Sequence, residues 1–157
     1  MERFELLRQR VLRHQRICGI YSLHASAVPA DAARERFLHN FAAPLGFTEP
    51  DVGPAEWKHA EASREDARQE VVQQLAGGSD IGHSRWDLGP TEAAAVADAF
   101  FGLFGDDATF YCSRPPTLGA QPLAPYARTD FQNFIFGGGC IAIDTHLAAV
   151  LWVLDND

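Results

Sequence analysis

The chain opens on a helical spacing. Phe4, Leu7, Val11, His14 and Cys18 recur three and four positions apart, so from about Glu2 to Cys18 they share one face, while Arg3, Arg10, Arg13 and Arg16 fall on the other. The apolar run Ile17 to Leu23 that follows fits a strand or a continuation of the helix, and periodicity does not decide between them. A second helix is predicted from near Pro29, with proline tolerated in its first turn, carrying Ala33, Phe37, Leu38 and Phe41 inward and stopping before Pro44. The prolines and glycines of 43–54 make a loop. A third helix is predicted from about Ala55 to Leu75. Its apolar stripe is thin (Trp57, Ala60, Ala67, Val71, Leu75), which suits a surface helix docked along one edge, and Gly77-Gly78 supplies a C-cap. The fourth, from about Thr91 to Phe104, is the most apolar segment; Ala93, Val96, Ala97, Phe100 and Phe101 place it centrally in the core, with Gly105 as its stop.

Beyond Gly105 the period changes to two. Thr109 to Ser113 reads as a strand, followed by a proline-rich loop from Arg114 to Pro125. Phe131–Phe136, Cys140–Asp144 and Ala148–Leu154 read as further strands, separated by Gly137-Gly138-Gly139 and by Asp144-Thr145-His146. Connections this short join antiparallel neighbours, because a parallel pair needs a long crossover. The expected fold class is α+β: about four helices in the N-terminal two thirds, packed on a C-terminal antiparallel β-meander of three to four strands. A length of 157 residues fits a single domain, 1–157.

Composition adds constraints rather than chemistry. No stretch approaches the roughly 20 apolar residues of a membrane helix. Met1-Glu2-Arg3-Phe4-Glu5 lacks the basic leader and apolar core of a signal peptide, so a cytoplasmic location is expected. Cys18, Cys112 and Cys140 cannot all pair internally and form no CxxC, in keeping with reduced thiols. Lys58 is the sole lysine among 13 basic residues, a bias that points to a GC-rich, bacterial genome. The net charge of −8 is lopsided: residues 1–75 carry −1 and residues 76–157 carry −7. Such a field repels phosphate backbones and anionic lipid and attracts a basic partner. Neither nucleic acid nor membrane is therefore expected as a partner.

Candidate chemistry is sparse, and each group has a plainer explanation. His14 and Cys18, four apart, supply two zinc ligands of the four a site needs; on an apolar face they serve as packing. Cys140 follows the glycine run, whose amides could form an oxyanion site, but His146 lies roughly 12–20 Å further along an extended chain. A glycine run between strands is more simply a turn that needs positive φ. His83, Arg85 and Trp86 could bind a ligand together with Arg114, or anchor a long loop. The acids Asp106, Asp107, Asp144, Asp155 and Asp157 sit at strand ends, where they guard edges or form a docking surface for a basic protein.

No cofactor fingerprint is present: the chain contains no GxGxxG, P-loop, HExxH or GxSxG. The expected function is a small acidic protein-binding module, an inhibitor or toxin-immunity protein that neutralises a basic partner through those acids. The alternative is a small enzyme or ligand-binding domain with its pocket between helices and sheet, built from His83, Arg85, Trp86, Arg114 and Cys140. The terminal hairpin also leaves an edge with which a second copy can pair as a homodimer.

Overall fold

The computed structural model describes residues 1–14, 19–47, 57, 60–77, 88–113 and 136–155. These form helix α1 (Glu2–Leu12), strand β1 (Gly19–Ala27), helix α2 (Arg34–Ala42) with a 3-10 turn at Ala43–Leu45, strand β2 (Glu61–Ala62), helices α3 (Arg64–Gly77) and α4 (Pro90–Phe101), and strands β3 (Thr109–Cys112), β4 (Phe136–Ile143) and β5 (Leu147–Asp155). The strands make one five-stranded sheet in the order β1-β5-β4-β3-β2, with every neighbouring pair antiparallel, so the terminal hairpin β4–β5 lies inside the sheet and does not leave the free edge expected of it. No helix among the described residues is long and apolar enough to cross a membrane.

The α+β class and the meander β3-β4-β5 stand, but the expected placement of the sheet does not. It has five strands, and two come from the N-terminal half. Residues 19–27 are strand, paired with β5 from Gly19↔Asp155 to Ala27↔Leu147. The cause is alternation: Tyr21, Leu23 and Ala25 join the core on one side of the sheet, with Ser22, His24 and Ser26 between them. The third helix starts at Arg64, nine residues later than its apolar stripe predicts. The Ser63 hydroxyl accepts the Asp66 amide at 3.1 Å and donates to the Asp66 carboxylate at 2.6 Å, fixing the helix start there. The second helix likewise begins at Arg34 rather than Pro29.

The glycine run is not a turn. Gly137, Gly138 and Gly139 lie inside β4, paired with Leu154, Val153 and Trp152. Their smallness serves close approach: a Cβ on Gly138 would meet the Gln74 amide, with Nε2 at 2.6 Å, and one on Gly139 would strike the Leu151 carbonyl and Trp152 Cα. Of the strand expected at 131–136, only Phe136 falls within the described residues, as the start of β4.

Both faces of the sheet are covered. On one, α1 (Phe4, Leu7, Val11), α3 (Ala67, Val71, Leu75) and α4 (Val96, Ala97, Phe100) bury Leu23, Phe110, Cys140 and Leu151. On the other, α2 with Phe47 and Trp57 covers Tyr111, Ile141, Val150 and Trp152. The helices are also tied end to end. Arg64 of α3 donates to the carbonyls of Phe101 (2.8 Å), Phe104 (3.3 Å) and Gly105 (2.5 Å), capping the last carbonyl of α4 and the turn that follows it. Arg10 of α1 grips Glu92 of α4 through two bonds of 2.6 and 2.7 Å.

Candidate functional site

The acids expected to form one docking surface separate into two groups. Asp106 and Asp107 are exposed beside the β4–β5 hairpin, at the end of the sheet where β3 begins. Asp144 belongs to the same corner but is buried, 3% exposed, and holds the hairpin. Its Oδ1 accepts the amides of His146 (2.7 Å) and Leu147 (2.8 Å), and its Oδ2 accepts Gly105 (2.9 Å). Burial alone would raise its pKa; the three amides outweigh that and hold it below the ordinary carboxyl value. Asp155 closes the far end of β5, eight residues beyond Leu147 and roughly 27 Å from it along an extended strand. Asp157, like His83, Arg85, Trp86 and Arg114, lies outside the described residues.

Cys140 is fully buried opposite Cys112 on the neighbouring strand. Burial, and then the hydrogen bond with Cys112, push its thiol pKa well up, so a nucleophilic thiolate is disfavoured there. Beside it lies a buried polar cluster. Glu70 Oε1 accepts from the Ser113 hydroxyl at 2.7 Å and from the Gln74 amide at 2.9 Å, while the Gly139 amide donates to Ser113 Oγ at 3.0 Å. These bonds satisfy the polar groups at the seam between α3 and the glycine run. Glu70 interrupts the polar face of α3 next to Val71, so its burial has only a weak sequence signal.

Among the described residues, a groove of about 340 Å³ opens where α2 meets β2 and β3. Arg34 and Glu35 enter it from the first turn of α2, Glu61 from β2, Thr109 and Tyr111 from β3. Pairing of β2 with β3 sets Glu61 directly opposite Tyr111. The Tyr111 ring stands edge-on to Trp57 with centroids 5.5 Å apart. Burial raises the Tyr111 pKa first; the charges of Glu61 and Glu35 raise it further, and Arg34 only partly opposes them. The charges acting on the phenol are thus two carboxylates against one guanidinium. Arg34 is meanwhile engaged by the groove wall, donating to the carbonyls of Asp107 (2.7 Å) and Ile143 (3.2 Å) and pairing with the Asp107 carboxylate at 3.3 Å. Glu35 and Glu61 are both exposed. An arrangement of two solvent-facing carboxylates and an aromatic ring suits a cation.

His14, the described member of the suspected zinc pair, stands 3.9 Å from Glu92. Among the described residues no three His, Cys, Asp or Glu side chains group in a way that could hold a metal ion. Comparison of the chain with protein-family models, with curated proteins and with solved structures finds no match.

Proposed function

We propose that this chain is a protein-binding module for a basic partner, of the inhibitor or toxin-neutralising kind, and that the Glu35–Glu61–Tyr111 groove seats a cationic side chain of that partner. The observation that carries the reading is geometric: two exposed carboxylates, Glu35 and Glu61, line the groove with Tyr111, while the Arg34 guanidinium is engaged by Asp107 and the main chain. Asp106 extends the acidic surface from the rim beside Asp107, which is paired with Arg34, and the −7 charge of residues 76–157 would steer a basic protein toward it. Asp144, with its oxygens occupied, supports the corner rather than offering contacts.

The test is capture from the native host lysate at low and moderate salt, read by mass spectrometry. Wild type is compared with Glu35→Lys/Glu61→Lys and with Asp106→Lys/Asp107→Lys. The expected result is a stoichiometric basic protein that wild type releases as salt rises, that the glutamate variant fails to hold, and that the aspartate variant holds less well. Equal capture by all three proteins, or no capture by folded wild type, would overturn the proposal.

The alternative, an enzyme or ligand-binding domain, draws on one contact: the Ser113 hydroxyl donates to the Glu70 carboxylate as a nucleophile does to its base. Both residues are 5% exposed, so the solvent-facing groove is preferred.

A further inference from the structure

The two edges of the sheet are built differently. β2 is two residues long and carries Glu61, a short charged edge of the kind that discourages further pairing. β1 is nine residues long, Gly-Ile-Tyr-Ser-Leu-His-Ala-Ser-Ala, with no lysine, arginine, aspartate, glutamate or proline. It runs without a bulge against β5 through its whole length. Alternate residues of such an edge, roughly four of them, turn both N–H and C=O away from the sheet. Among the described residues no strand lies beyond it.

A second observation falls in the same place. The exposed large hydrophobics of the described residues are Met1 (64%), Leu6 (62%) and Leu12 (41%), all on α1 or its cap. α1 packs on β1 and lies on one flank of α4, to which Arg3 and Arg10 reach. Leu6 lies over the seam with α4. At about 100° per residue, Met1, Glu5, Arg8 and Leu12 fall together on the opposite flank, roughly a quarter turn from buried Phe4, Leu7 and Val11. That flank faces out past β1.

We propose that the chain forms a two-fold homodimer in which β1 pairs antiparallel with β1 of a second copy, joining two five-stranded sheets into one, while α1 packs against its counterpart. The flank of α1 is self-complementary for this geometry. In an antiparallel helix pair centred between residues 6 and 7, Met1 meets Leu12 of the second copy and Glu5 meets Arg8 of the second copy. Both contacts occur twice, as a two-fold axis requires. β1 offers a compatible register: pairing centred on Leu23 sets Ser22 opposite His24 of the second copy and brings no two carboxylates or guanidinium groups together. The partner that fits this edge is therefore the chain itself.

Sedimentation velocity over a concentration series tests this against the 17.2 kDa chain mass. Wild type is expected to reach twice that mass. Glu5→Arg and Arg8→Glu, each placing like charges across the axis twice, are expected to weaken the dimer roughly tenfold. Mixing the two variants restores assembly, because the guanidinium introduced at position 5 of one chain lies beside the native Arg8 only within its own helix, and across the axis it faces the carboxylate introduced at position 8 of the other. Circular dichroism confirms that each variant is folded. Recovery in the mixture separates the interface from any effect on α1, since neither chain's own helix is changed by mixing. A wild type that stays monomeric to millimolar concentration overturns the proposal, as does a dimer indifferent to both variants.

Discussion

Replacing Asp144 with alanine strips the acceptor from three backbone amides at once: Gly105, His146 and Leu147, bonded at 2.9, 2.7 and 2.8 Å. Leu147 is buried and begins β5, so its amide has little access to replacement water. An orphaned buried donor costs about 1–3 kcal/mol, and bonds to a charged acceptor lie at the upper end. Allowing partial rehydration of the Gly105 and His146 amides, the loss is about 3–4 kcal/mol. For a chain of 157 residues that is a fall in Tm of roughly 10 °C. Asp144→Asn is milder. Its oxygen can still serve His146 and Leu147, but its amide opposes the Gly105 N–H, for a cost of about 1–2 kcal/mol. The pH dependence supplies the sharper check. The folded pKa lies below the unfolded value of about 3.9, so the carboxylate's contribution is full above about pH 5 and is lost as pH falls through the folded pKa. Urea titrations of wild type and Asp144→Asn should therefore show a constant gap near neutrality that closes in acid. An alanine variant within about 1 kcal/mol of wild type, or a gap that persists undiminished in strong acid, would refute the role assigned to these bonds.

Gly139→Ala should cost more than about 3 kcal/mol or prevent folding, because the new methyl meets the Leu151 carbonyl and Trp152 Cα, both backbone atoms of a paired strand. Gly89→Ala, with nothing within 4 Å of the added Cβ, should change stability by less than about 1 kcal/mol in the same denaturant titration. Cys112 and Cys140 should resist alkylation at pH 8 while the protein is folded and react promptly in urea, as mapped by peptide mass spectrometry. Modification of Cys140 in the folded state would show that its raised pKa and burial do not protect it.

The parts of the fold that were legible are those whose burial is one-sided and local. α1 and α4 follow from three- and four-residue spacing, although α1 ends at Leu12 and not near Cys18, and the meander β3-β4-β5 follows from alternation with short turns. β1 was obscured because Ile17–Leu23 is a largely apolar run; the alternation that identifies it starts at Tyr21 and extends beyond that run. Trp57 and Ala60 continue the α3 stripe in spacing, yet they serve the opposite face of the sheet, and the Ser63-x-x-Asp66 capping pair was the better marker of the helix start. The glycine run invites a turn because glycine permits positive φ. Here it answers crowding by Gln74 and by β5, which no local pattern records. Asp144 could have been read from Asp-Thr-His between two strands, since a short acid there bonds the amides that follow it. The groove was not readable: Arg34, Glu35, Glu61 and Tyr111 meet only because a two-residue strand crosses to β3.

The pairing of β1 with β5 also governs when the molecule can assemble. β5, the last element described, is an interior strand, with β1 on one side and β4 on the other. While the ribosome has yet to release Leu147–Asp155, β1 and one side of β4 lack the strand that pairs with them among the described residues. Helices α1, α3 and α4 can form early, but the sheet they cover must wait for contacts that span most of the chain, and closing such distances slows folding. During that interval a strand without acidic or lysine and arginine side chains stands open to other nascent chains. A polypeptide interrupted before Leu147 would therefore lose the strand that joins β1 to β4, and chaperone dependence should be greatest until Leu147–Asp155 has emerged.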